Sequence, residues 1–78
     1  MERISLNNMK SKESGNIVEF LGGVSFRDRL SSMGIRLGVK VTRVNSGFGK
    51  GAVVVRVGRA QTALGHGMSC KVIVEIER

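Results

Sequence analysis

The chain has 78 residues, with 13 Lys and Arg against 6 Asp and Glu, and a formal net charge of +7 at pH 7. This length allows one small domain with a modest core, the lone Cys70 cannot close an internal disulfide, and no apolar run approaches the roughly 20 residues of a membrane helix. Hydrophobic residues make up 41% and charged residues 24%, which suits a folded domain, while one His and one Cys fall short of a four-ligand zinc site.

Ile4 to Met9 reads as a short entry segment, with Leu6 and Met9 directed at the core. The neighbouring Asn7, Asn8, Lys10, Lys12 and Glu13 lack the apolar stretch of a signal peptide, so a cytoplasmic location is expected. Ser14-Gly15-Asn16 reads as a turn, and Ile17 to Leu21, β-branched and aromatic, as a strand stopped by Gly22-Gly23.

The pattern then predicts one helix over residues 25–33. Ser25 is placed as its N-cap, and Asp28 stands three residues on, as in a capping box. Phe26, Leu30 and Met33 share one face, which leaves Arg27 and Arg29 off it. Gly34 is placed to end the helix in a left-handed conformation, with Ile35 folding back.

After Leu37-Gly38 the period becomes two. Val39 and Val41 alternate with Lys40 and Thr42, and a phase slip at Arg43-Val44 suggests a bulge. Residues 45–51 form a glycine-rich loop, in which Gly49-Lys50 lacks the Ser or Thr and the following helix of a phosphate-binding loop. Val53, Val55 and Val57 mark the clearest strand; Gly58-Arg59 turns it; Ala60, Thr62 and Leu64 share one side of the next. Gly65 to Cys70 suits one irregular turn, and Val72, Val74 and Ile76 share a face of the last strand. The expected fold is therefore mainly β: a small, partly closed barrel of about five short strands, with one helix inserted after the first, in a single domain over 1–78.

Charge is unevenly spread along this framework. Between Phe20 and Val74 the sole acid is Asp28, against nine bases. Such a field attracts a negative partner, whether protein, membrane surface or nucleic acid. Nucleic-acid binding by a small barrel relies on aromatic stacking platforms. Of the three Phe residues, Phe20 and Phe26 are assigned to the core, so phosphate-only, salt-sensitive binding is what that alternative retains. His66, Met68 and Cys70 alternate in a pattern of soft ligands but lack a fourth partner, so they stand as incomplete metal candidates. No carboxylate pair or Ser-His-Asp set is framed for catalysis, and neither an enzyme, a cofactor nor a small-molecule substrate is expected.

The ordered set Leu30-Ser31-Ser32-Met33-Gly34-Ile35-Arg36-Leu37-Gly38, a Val-rich strand pair, and Leu64-Gly65 before a final Ile/Val strand resembles the ferrous iron transport protein A family. Leu6, Gly15, Ile17, Gly22-Gly23, Gly51, Val53, Val55 and Gly58 fit the same pattern, which covers about residues 4–77. The family often has Pro where this chain has Leu37, and a small residue at Cys70. The resemblance implies an SH3-like barrel and a cytoplasmic accessory of ferrous iron uptake. Its implied partner is the membrane ferrous iron permease, through the permease's cytoplasmic GTP-binding region, or the anionic membrane beside it. A related barrel ends the iron-dependent repressors, so a metal-responsive regulatory domain is a second alternative to the accessory reading. The expected partner surface is basic with apolar anchors: Arg27, Arg29, Arg36, Leu37, Arg43, Phe48, Lys50 and Arg59.

Overall fold

A computed structural model describes residues 1–44 and 52–77. Its strands are β1 (Glu2–Ser5), β2 (Ser14–Phe20), β3 (Lys40–Arg43), β4 (Val53–Val57), β5 (Ala60–Leu64) and β6 (Val72–Ile76). Helix α1 (Val24–Ser32) follows β2, a one-turn helix α2 (His66–Ser69) precedes β6, and a 3₁₀ turn (Leu6–Asn8) follows β1. The six strands form one antiparallel sheet in the order β1-β6-β2-β3-β4-β5. The protein is mainly β, with a small SH3-like architecture.

The sheet exists because alternate residues bury one face. In β6, Val72, Val74 and Ile76 are all buried, and Val53 and Val55 of β4 join them. Leu6, Met9, Ile17, Leu30, Ile35, Val41 and Leu64 complete the core, with Phe20, Phe26 and Met33 packed against its margin. At roughly 25 cal/mol per Å² of apolar surface removed from water, this cluster is the main favourable contribution to folding.

Several local expectations are corrected. There are six strands, because Glu2–Ser5 pairs with β6 from Glu2↔Ile76 to Ser5↔Ile73; the helix thus follows the second strand. Ser14-Gly15-Asn16 is extended and pairs with Thr42, Val41 and Lys40. Gly15 permits the close approach of β6 on the other side of β2: a Cβ there would lie 2.8 Å from Ile76 Cγ2 and 3.0 Å from the Glu75 carbonyl oxygen. The register shift falls in β2, between Ile17 and Glu19, instead of at Arg43-Val44.

The N-cap of helix α1 lies two residues earlier than the capping-box signature places it. Gly23 is its N-cap and no side chain caps it, so Ser25 and Asp28 are both inside the helix. Phe26 packs closely over Gly22, where a Cβ would lie 2.5 Å from its Cδ2. The other end is as expected. Gly34 has φ +85°, its N–H donates to Ser31 O at 3.0 Å, and Ile35 N–H donates to Leu30 O at 2.9 Å. Those two bonds make a complete Schellman end, and Ile35 is fully buried behind it.

Candidate functional site

The turn at Gly34 has a consequence outside the core. It sends Ile35 inward and brings Arg36 and Leu37 back beside α1, where Arg36 Nε donates to Ser31 Oγ at 3.1 Å. Between them lies an open groove of about 470 Å³ lined by Phe20, Val24, Arg27, Asp28, Ser31, Ile35, Arg36 and Leu37. Its floor is apolar and two of its three charged walls are cationic. Phe20 is held there by Phe26, edge-to-face at 6.4 Å and 81°, and Lys71 Nζ lies 5.9 Å from the Phe26 ring centre.

Exposed apolar side chains concentrate here. Among the described residues, large hydrophobics left in water include Val24 at 73% and Leu37 at 49%, both in the groove, and Leu21 at 53% in the connection leading to α1. A clustered apolar patch rimmed by charge is the usual mark of a docking surface, whereas scattered single exposures are ordinary.

The structure thus brings Arg27, Arg36 and Leu37 together. Arg29 is exposed in the last turn of α1 but does not line the groove. Arg59 is exposed at the β4–β5 turn, away from it in the sheet order. Arg43 is half-buried and differs in kind: its Nη1 donates to Asn7 O at 2.9 Å and Met9 O at 2.6 Å, and its buried Nε has no partner. This guanidinium is engaged in tying β3 to the N-terminal turn, which removes it from the exposed basic surface. Phe48 and Lys50 lie outside the described residues.

His66 opens α2 and Cys70 closes it, with Cys70 Sγ directed at Gly67 O at 3.3 Å. Met68, between them in sequence, packs against the core. Among the described residues, no three His, Cys, Asp or Glu side chains converge as a metal site.

A second concavity, of about 480 Å³, is lined by Glu13, Glu75 and Glu77 together with Met1, Ser14, Gly15, Asn16 and Lys40. Sequence reading placed these acids near the chain ends without joining them. They meet because β6 pairs on one side with β1 and on the other with β2. Glu13 Oε1 there accepts the Lys10 N–H at 2.8 Å.

The comparisons bear on this geometry. The family model described as the FeoA domain matches residues 4–76. A crystal structure described as the iron uptake regulatory protein FeoA is similar at 29% identity, with a TM-score of 0.86, covering 96% of this chain and 97% of that one. A FeoA-like protein from Clostridium acetobutylicum, solved by NMR, is 17% identical with a TM-score of 0.83, covering 97% and 88%. A manganese-dependent transcriptional repressor is 16% identical with a TM-score of 0.85, and this chain spans 42% of its length. Those last two likenesses concern the fold. No curated protein matches the chain significantly.

Proposed function

This chain belongs to the FeoA domain family, and on that premise we propose that it is a small accessory protein of ferrous iron transport that acts by binding another protein. Its family is one of small accessory domains, and the groove beside α1 is suited to docking and not to bond-making. The partner is the cytoplasmic region of the ferrous iron permease, and the contact is the groove between α1 and Arg36-Leu37. The observation that carries this reading is the convergence of exposed Val24 and Leu37 with Arg27 and Arg36 on one groove. Apolar anchors in such a groove supply most of the binding energy. The arginines set encounter rate and orientation toward an acidic surface.

Titration of the permease's cytoplasmic region, followed by calorimetry, tests the assignment. Leu37→Ala is expected to weaken binding by about tenfold, as an anchor of more than 1 kcal/mol would. Arg27→Glu/Arg36→Glu is expected to weaken it further and to flatten its salt dependence, whereas Arg29→Glu has little effect. Equal binding by wild type and Arg27→Glu/Arg36→Glu would remove the groove from the function. Binding of all four proteins to anionic vesicles, with none to the permease region, would place the membrane in its stead.

A further inference from the structure

The groove leaves one part of the molecule unused. Strand β5 ends the sheet, with β4 as its one neighbour among the described residues. It pairs with β4 along its whole length, from Val57↔Ala60 to Val53↔Leu64. The turn between them has two residues, Gly58 and Arg59, and Gly58 takes φ +62°. Such a two-residue hairpin closes on a hydrogen-bonded pair, here Val57 and Ala60. Bonded and non-bonded pairs then alternate, so Ala60, Thr62 and Leu64 face β4 with their main-chain groups, while those of Gln61 and Ala63 point out of the sheet. Val54, opposite Ala63, agrees: its carbonyl accepts the Val44 N–H at 2.8 Å, on the β3 side.

The opposite edge is guarded. β1 carries Glu2 and Arg3, both exposed, and charge on an edge strand opposes strand addition. β5 has neither charge nor Pro, and Ala60, Gln61 and Ala63 are exposed. Its surroundings are uniformly basic. Arg56 stands in register with Gln61, Arg59 sits in the turn, and β3, β4 and β5 contain no acid.

The geometry points to the β5 edge as a second protein-binding surface, which adds an extended acidic segment of a partner protein as a seventh strand. Gln61 and Ala63 supply two donors and two acceptors to that segment, so affinity comes from main-chain bonds. Arg56 and Arg59 select for carboxylates flanking the added strand. A second copy of this chain is disfavoured, since it brings the same excess of positive charge.

The test uses the ¹⁵N-labelled full chain and the peptide acetyl-Glu-Val-Glu-Val-Glu-Val-amide. At saturation the Gln61 and Ala63 amides are expected to shift and to slow in hydrogen exchange by about tenfold or more, while Thr62, already bonded to β4, changes little. Ala63→Pro removes one outward donor at a position where an edge tolerates Pro, and is expected to abolish binding. Arg56→Glu/Arg59→Glu, which leaves every ladder bond in place, is expected to weaken binding about tenfold. Unchanged exchange at Gln61 and Ala63, or shifts confined to Ser31, Arg36 and Leu37, would overturn the proposal. So would protection of Gln61 and Ala63 that rises with protein concentration in the absence of peptide, which would assign the edge to a second copy.

Discussion

The half of the sheet made by β1, β6 and β2 and the half made by β3, β4 and β5 are built on the same plan and charged in opposite ways. The first holds Glu2, Glu19 and Glu75 against Arg3 in its strands. There Arg3 pairs with Glu75 across β1 and β6 at 3.6 Å. The second holds Lys40, Arg43 and Arg56 and no acid. Its bases therefore find no carboxylate within their own half. Arg43 turns inward to main-chain carbonyls, and Arg56 faces solvent. The strands of the first half carry a net negative charge, with one of their three acids beside Arg3, and those of the second carry a net positive one. The excess positive charge of the chain is thus a directed field and not a diffuse one.

The comparison is sharpest where the basic half is anchored. Leu64 is the one fully buried side chain of β5. Leu64→Ala is expected to cost about 3 kcal/mol in urea unfolding; a loss below about 1 kcal/mol would mean that β5 is not seated on the core at all. Gly15→Ala strikes the acidic half, where β2 meets β6. Its Cβ meets Ile76 and the Glu75 main chain, and overpacking of this kind costs about 2 kcal/mol. If Gly15→Ala were neutral, β2 and β6 would have room to shift against each other. Arg43→Met keeps the aliphatic stem but strips two carbonyls of their donor, for an expected loss of about 1–2 kcal/mol. An unchanged midpoint would return Arg43 to the exposed basic surface. Arg3→Ala breaks an ion pair whose arginine is 64% exposed, and is expected to change stability by less than about 0.5 kcal/mol. A larger loss would mean that the acidic half depends on this pair and not on its apolar strand faces.

How much of this was legible depended on whether the cause was local. The C-terminal end of α1 was readable because a left-handed residue is a requirement of one peptide unit, and Gly34 meets it. The β4–β5 hairpin was readable because Val53, Val55, Thr62 and Leu64 alternate with exposed or half-exposed neighbours around Gly58-Arg59. β1 was not, because Glu2-Arg3-Ile4-Ser5 has one apolar residue; it becomes a strand through the edge that β6 offers. The start of α1 misled because Ser25 and Asp28 have the spacing of a cap, whereas the helix starts from Gly23 with no side-chain cap. Arg43 carried no sign of its role, since an arginine after a half-buried strand reads as solvated until Asn7 and Met9 arrive beside it. In the groove, Arg27, Arg36 and Leu37 were singled out by charge and exposure; their convergence depends on the backward turn at Gly34, and Val24 was missed because it was placed before the helix.

The position of β6 has a consequence in time as well as in space. It is the last strand in the described sequence, yet it lies between the first two, β1 and β2. β1 finds its one sheet neighbour when residues 72–76 have been made, whereas β2 can pair first with β3. A growing chain therefore holds β1 unpaired until then, and contacts of such long sequence separation close slowly. Until then β1 depends on its brevity and on the charges of Glu2 and Arg3 to stay out of the wrong sheet.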